Sequence, residues 1–270
     1  VSPKPASITE REFSQFSKLI YDRAGIHMPD SKMALVSGRL AKRIQHYQLE
    51  SYGDYFRLIS GGEYADELQT AIDLLTTNET HFFREPKHME FLRDHVLSGW
   101  RPSQSFRLWC AASSTGEEPY TLAMVLADTL GNGPWEITGS DISMRCLEKA
   151  RGGLYAMQRA AEIPKDYLRR FCLRGVGSQS GQFLIERGLR ERVRFLYVNL
   201  IEDLPELGQF DTIFLRNVMI YFDIATKRRV ISRMLPLLRK GGYFIISHSE
   251  SLNGVSDAFE FISPSIYRKP

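Results

Sequence analysis

Apolar residues in the first 80 positions recur at helical spacing. Thr9, with Glu12 three residues on, forms a capping-box signature; Phe13, Phe16, Leu19 and Ile20 follow at helical intervals, and Gly25 closes the segment. A second helix is predicted from about Ser31 to His46, with Met33, Leu35, Val36, Leu40 and Ile44 on its apolar side. Tyr52 to Ser60 and Tyr64 to Leu75 carry the same period, separated by the breaker pair Gly61-Gly62. No strand pattern interrupts this region, so it reads as a small all-α domain.

From about Phe106 the pattern changes to short apolar runs alternating with helical stretches, as in a largely parallel sheet covered by crossover helices. The predicted strands are Phe106 to Ala111, Glu136 to Ser140, Val193 to Val198, Asp211 to Leu215 and Tyr243 to Ser247, followed by an extended segment from Phe259 to Tyr267. Helices are predicted at Pro119 to Thr129, Met144 to Ala150 and Ala225 to Leu238. Residues 163–192 contain Gly175, Gly177, Gly181 and Gly188 and fit neither element, which predicts an antiparallel hairpin inserted into the sheet domain. Leu238 to Gly242 reads as a turn into the last strand.

Composition narrows the class without identifying it. A chain of 270 residues, 43% hydrophobic and 25% charged, can bury one large core or two small ones. No window approaches the roughly 20 apolar residues of a membrane span. The opening VSPKPASITEREF has no apolar stretch ahead of a small-residue cleavage site, so the expectation is a cytoplasmic protein. Cys110, Cys146 and Cys172 are odd in number and lack CxxC spacing, and His81, His88 and His95 have no spacing that gathers them, so no disulfide framework and no metal site is expected. The net charge of +3 is uneven: residues 145–194 hold twelve Lys/Arg against five Asp/Glu.

The candidate chemistry lies at strand ends. Phe106 to Pro119 is a strand running into Ala-Ala-Ser-Ser-Thr-Gly and then a helix, the build of a site where backbone approaches a ligand. It lacks GxGxxG, and Glu117 and Glu118 in the first helical turn repel a pyrophosphate, so a cationic or zwitterionic cofactor fits better than a dinucleotide. Asp141, 25 residues beyond Gly116, ends the next strand where a carboxylate can accept ribose hydroxyls or cap the following helix. Asn199-Leu200 and Arg216-Asn217, with Tyr221 beyond, follow the later strands. Thr76 to Pro86 joins the two domains and pairs polar residues with Phe82 and Phe83, which form a clamp over the crevice or pack the domains together.

TTNETHFFRE, AASSTGEEPY, SDIS, NL, RNVMIYF and ISHSESL, in this order and spacing, closely resemble the CheR family of chemotaxis receptor methyltransferases over nearly the whole chain. The resemblance implies an α/β fold: a class I, Rossmann-like S-adenosylmethionine-dependent methyltransferase sheet with a small antiparallel β subdomain, preceded by an all-α domain. The implied division is 1–84 for the helical receptor-facing domain and linker, 85–270 for the cofactor-binding domain and 163–192 for the inserted hairpin. The implied reaction is methyl transfer to chemoreceptor glutamates, giving methyl esters and S-adenosylhomocysteine, by a cytoplasmic enzyme recruited to membrane-bound receptor arrays. The implied cofactor ligands are Asn78, Thr80, Arg84, Glu117 or Glu118, Asp141, Asn199, Leu200, Arg216 and Asn217, with Arg84 and Tyr221 nearest the transferred methyl. Lys32, Arg39, Lys42 and Arg43 match a basic helix facing the acidic methylation region, and Gly175, Gly177 and Gly181 match a loop that binds a receptor C-terminal pentapeptide by strand addition. No metal, nucleic acid or membrane insertion is expected. The rivals are a class I methyltransferase acting on a small molecule or RNA, a non-catalytic cofactor-binding adaptor and, more remotely, a dehydrogenase, which the missing GxGxxG disfavours.

Overall fold

The computed structural model describes residues 7–101 and 105–270, so the first six residues of the segment read for a leader lie outside the described residues. Two compact units emerge: residues up to Thr77 with Tyr221–Thr226, and Asn78–Ile220 with Lys227–Pro270. The junction residues 78–84, read from sequence as a linker attached to the first domain, are part of the second unit.

The first unit contains α1 (Glu10–Ala24), α2 (Met33–His46), α3 (Tyr52–Ser60) and α4 (Ala65–Leu75). Thr9 and Glu12 form the reciprocal capping box, and Gly25 ends α1 at φ 70°, where a Cβ is costly. Ser51 and Asp54 repeat the device on α3. A 3-10 turn, Asp30–Lys32, occupies the predicted start of the second helix. Phe16, Ile20, Val36, Leu40, Ile44 and Tyr55 are fully buried, so the helical period placed the core correctly.

Two of the four basic residues expected to face a partner are used inside this unit. Arg39 Nη1 donates to the carbonyls of Leu75 (3.0 Å) and Thr76 (2.9 Å), satisfying acceptors at the end of α4. Arg43 pairs with buried Glu67, which also accepts from Tyr55 (2.6 Å) and Tyr47 (3.1 Å). Lys32 and Lys42 are exposed. Burial alone would push the Glu67 carboxyl up, but hydrogen bonds from Arg43 and the tyrosines outweigh it and hold it below the usual carboxylate value. A depressed carboxyl contributes stability that is complete above the ordinary range and lost as pH falls through the lowered value. Glu67→Ala is therefore expected to destabilise the protein by about 3 kcal/mol at pH 7 and to remove that acid-side decline, as read by denaturant unfolding across pH.

The second unit starts with α5 (Lys87–Phe91), continued by a π-helical turn over Leu92–Leu97. Then follow β1 (Phe106–Cys110), α6 (Glu117–Leu130), β2 (Trp135–Asp141), α7 (Met144–Gly152), β3 (Leu154–Ala156), α8 (Lys165–Phe171), β4 (Cys172–Arg174), β5 (Gln182–Ile185), α9 (Arg187–Arg190), β6 (Val193–Tyr197) and β7 (Phe210–Phe214). The chain ends with α10 (Ile224–Met234), β8 (Leu238–Ile245), β9 (Glu260–Ser263) and β10 (Ile266–Arg268). The main sheet runs β6-β2-β1-β7-β8-β10-β9, parallel except for β10, which pairs antiparallel with both β8 and β9. Its strand order reverses between β1 and β7, so a crevice opens beyond their carboxyl ends. Near-continuous apolar runs such as Phe106–Cys110 follow from burial on both faces.

Residues 163–192 hold more than a hairpin. β4 and β5 pair antiparallel, but β3, outside that range, adds a third strand in the order β3-β5-β4, and α8 and α9 flank the pair. Three-residue strands carry too short a period to be read from sequence. Leu238 to Gly242 is likewise not a simple turn: β8 already pairs at Leu238, and the register then slips between Phe210 and Thr212 to place Tyr243 opposite Thr212. The final extended segment is a pair of antiparallel strands.

Phe82 is fully buried against Tyr155 (5.0 Å between ring centroids) and Phe183 (5.7 Å), and Phe83 lies 5.4 Å from Tyr167. All three partners belong to the small-sheet region, so the paired aromatics anchor the junction segment within the second unit. Among the described residues, no helix is long and apolar enough to cross a membrane.

Candidate active site

The loop after β1 is shaped by its small residues. Gly116 has φ +96°, and a Cβ there would lie 2.7 Å from the Tyr155 hydroxyl and 2.9 Å from Ala150 Cβ, so a larger residue would displace the start of α6. Ser114 joins three segments: its amide donates to Asp141 Oδ2 (2.8 Å), while its hydroxyl donates to the Asn78 carbonyl (2.8 Å). Asp141 also accepts from the Ser143 amide through Oδ1 (2.9 Å), which fixes the carboxylate plane. The capping role is taken by Ser143, whose side chain accepts from Cys146 at the start of α7. Val198 N donates to the Asp141 carbonyl (3.1 Å), which brings buried Asn199 and Leu200 beside it.

The two adjacent glutamates are not equivalent. Glu118 Oε1 accepts from the Cys110 thiol (3.0 Å), and Oε2 is paired with Arg216 Nη1. Burial, reinforced by the Glu118 charge, pushes the Cys110 thiol far up, so it remains a protonated donor. Glu117 is 0% exposed; Oε2 accepts from the Thr115 hydroxyl (2.6 Å), whereas Oε1 has no hydrogen-bond partner. The nearest cation is Arg159, whose Nη1 lies 3.5 Å from Oε1 and donates to the Thr80 carbonyl at 2.7 Å. A buried carboxylate oxygen that makes an ion pair but no hydrogen bond among the described residues, beside a small-residue loop, fits the ammonium of an amino-acid-bearing cofactor.

Arg216, at the end of β7, is the hub of the opposite wall. Besides Glu118 it approaches Glu85 Oε2 (3.3 Å) and donates to the Arg84 carbonyl (2.7 Å), linking the junction segment to the sheet. The Arg84 side chain turns to the Glu79 carbonyl (3.1 Å). Asn217 follows at φ +58°. Asn78, Thr80, Arg84, Glu117, Glu118, Asp141, Asn199, Leu200, Arg216 and Asn217 therefore all lie in the second unit, and Tyr221 is grouped with the helical one.

Sequence reading passed over Arg159, Ser114, Glu85 and Cys110 as supports of this site. It also missed a grouping of Glu85, His88 and His248, whose potential ligand atoms lie within 4.8 Å of one another. His248 is 160 positions from His88, so no spacing signals the pair. His88 Nε2 shares a 2.7 Å hydrogen bond with Ser265 Oγ, and burial and Arg216 push its imidazole down to about 3, so the ring is neutral. The Glu85 carboxylate is raised by burial, but Arg216 and the His248 amide more than reverse this. Arg216 already supplies the charge that balances Glu85.

The basic excess over residues 145–194 is also partly consumed internally. Arg151 and Arg190 donate to the carbonyls of Phe195 and Ile185, Arg192 to those of Gly133 and Asn132, and Arg170 pairs with Asp128. Four of the twelve basic residues are thus tied to groups of their own unit.

Comparison with known proteins bears on this geometry. The family profile described as CheR methyltransferase, SAM binding domain, matches residues 78–268, and CheR methyltransferase, all-alpha domain, matches residues 11–76. The chain is 39% identical over 264 residues to a chemotaxis protein methyltransferase of Escherichia coli (strain K12), covering 97% of this chain and 91% of the relative. It is 38% identical over 262 residues to chemotaxis protein methyltransferase 2 of Pseudomonas aeruginosa, covering 96% and 93%. To the Borreliella burgdorferi chemotaxis protein methyltransferase it is 33% identical over 274 residues, covering 97% and 95%.

Proposed function

Since the chain belongs to the CheR methyltransferase family, we propose that it methylates glutamate side chains of chemoreceptors, forming methyl esters from S-adenosylmethionine. The observation that carries this reading is the pair of glutamates after the small-residue loop, one committed to Arg216 and Cys110 and the other buried with an oxygen that has Arg159 at 3.5 Å but no hydrogen bond among the described residues. Glu117 is the ligand for the cofactor ammonium, and Asp141, fixed by two amides, is the acceptor for the ribose hydroxyls. Asn78, Thr80, Arg84, Asn199, Leu200, Arg216 and Asn217 complete the site.

When bound, S-adenosylmethionine supplies a methyl group on a sulfonium, an electrophile that an ionised carboxylate can attack directly. A substrate glutamate, with a pKa of about 4.3, is already anionic at pH 7, so no general base is needed. The protein's work is to orient that carboxylate and strip its water, for which Arg84 and Tyr221 provide a cation and a hydroxyl. Neither a histidine base nor a cysteine nucleophile is required, in keeping with the neutral His88 and the protonated Cys110.

The receptor contacts are read on the same basis. Exposed Lys32 and Lys42 of the helical unit remain suited to an acidic methylation region, whereas Arg39 and Arg43 act mainly on their own fold. In the small sheet β4 is an edge strand, and Leu173 (54% exposed) and Val176 (79%) offer apolar surface beside it for an added peptide strand. The loop next to it needs glycine: a Cβ at Gly175 would lie 2.0 Å from the Gln179 carbonyl oxygen. Recruitment to receptor arrays from the cytoplasm follows from this reading.

One assay tests the proposal: radiolabelled methyl transfer to receptor-containing membranes, with and without the receptor's C-terminal pentapeptide. Base-labile label, reduced when the pentapeptide is deleted, is expected, and an Arg84→Ala, Tyr221→Phe double variant should lose at least about 100-fold in kcat. Base-stable label, or label in RNA or a small molecule, points to the rival methyltransferases; cofactor binding without transfer points to an adaptor.

A further inference from the structure

The segment ISHSESL contributed to the family likeness without a role for any of its side chains, and Glu250 within it makes an unusual set of contacts. Its Oε2 accepts from the amides of Ser247 (2.9 Å) and Asn217 (3.1 Å), and its Oε1 from the amide of Ile220 (3.3 Å). Ser247 lies just beyond β8, and Asn217 and Ile220 follow β7, so one carboxylate ties together two adjacent strand ends.

The loop it holds leads from β7 into a 3-10 turn, Met219–Tyr221. Asn217 has φ +58°, a conformation that asparagine tolerates but that needs a neighbour to fix it, and the amides of Asn217 and Ile220 turn toward one carboxylate as in an anion-binding nest. Here the anion is supplied by the chain itself. Burial pushes the Glu250 carboxyl up against the pull of these amides, so the contact is maintained at a desolvation cost. Arg216 and Asn217, immediately before and inside the turn, are the strand-end residues assigned to the cofactor.

We propose that Glu250 is a positioning residue for methyl transfer, its carboxylate clamping the amides of Asn217 and Ile220 so that Arg216 and Asn217 face the cofactor in the productive arrangement. The proposal rests on the reading that Asn217 touches S-adenosylmethionine. It assigns Glu250 no contact with the cofactor: the effect passes through the loop backbone. Glu250→Gln is nearly isosteric but places an NH2 among N–H donors, so at least one acceptor position is lost.

The test compares Glu250→Gln, Glu250→Asp and Asn217→Gly, the last removing the side chain while keeping the positive φ accessible. S-adenosylhomocysteine affinity is measured by calorimetry and local opening by amide hydrogen exchange. Glu250→Gln is expected to bind about 10-fold more weakly or worse, with exchange accelerated at residues 217–220 while β1 and β2 keep wild-type protection; Glu250→Asp should fall between. Asn217→Gly should also bind more weakly; wild-type affinity in that variant overturns the assignment of Asn217 to the cofactor. If Asn217→Gly weakens binding and Glu250→Gln does not, the positioning role is overturned. It is equally overturned if Glu250→Gln accelerates exchange throughout the sheet, since the carboxylate would then be a general stabiliser. Should Glu250→Gln not fold, wild-type affinity and exchange in Glu250→Asp overturn the proposal.

Discussion

Glu117→Gln is expected to weaken S-adenosylhomocysteine binding by about 100-fold, or about 3 kcal/mol, while leaving the affinity for methylthioadenosine nearly unchanged. Glutamine keeps the shape and can still accept from Thr115, so the substitution removes chiefly the charge at Oε1, the oxygen with no hydrogen-bond partner. S-adenosylhomocysteine carries an α-ammonium and methylthioadenosine does not, so the two ligands separate a lost ion pair from a damaged pocket. Equal weakening of both, read by calorimetry, would mean that the ammonium is not held by Glu117. Glu118→Gln should behave differently, because its oxygens are taken by Cys110 and Arg216. Its loss is expected mainly in stability.

The second large effect is expected at Arg216. Its side chain is 1% exposed and is the shared counter-charge of Glu118 and Glu85, which are themselves mostly buried. Arg216→Ala leaves two carboxylates facing a cavity without a cation and releases the Arg84 carbonyl. Removing one partner of a buried ion pair costs about 3 to 5 kcal/mol, so Tm should fall by about 10 °C for a chain of this size. Cofactor binding should be lost as well, because the junction segment bearing Arg84 is no longer held to β7. Arg216→Lys should recover part of the stability and little of the binding, since an ammonium cannot reproduce the guanidinium's fork. Thermal unfolding and calorimetry on the same samples check both parts; a variant with wild-type Tm would show that the two carboxylates do not depend on this cation.

The parts of the fold legible in the sequence were those whose cause is local. Thr9 with Glu12 marks a helix start because the capping partners are three residues apart, and Phe16, Ile20, Val36 and Leu40 mark a core because burial follows the helical period. Strand ends carrying Glu117, Asp141, Asn199 and Arg216 were visible for the same reason: each follows a short apolar run at a predictable place. The three-residue strand β3 was not visible, because it exists only through its pairing with β5, some 30 positions later.

The sequence by itself thus determined the order of elements, the strand ends that could meet a ligand and, through its motifs, the family to which the chain is similar. Tertiary structure alone decided how neighbouring groups of the same type divide their work. Glu117 and Glu118 are identical side chains one residue apart, yet one meets Arg216, 98 positions away, and the other keeps an oxygen without a hydrogen bond. Arg39 and Arg43 share a basic helix with Lys42, but Leu75, Thr76 and Glu67 from α4 claim them. Glu250 reads as an ordinary polar residue until the strand order β7-β8 brings the amides of Asn217 and Ile220 to it. Hydrogen bonds and ion pairs act over a few ångströms in space and are indifferent to distance along the chain, so the roles they assign appear only once the chain is folded.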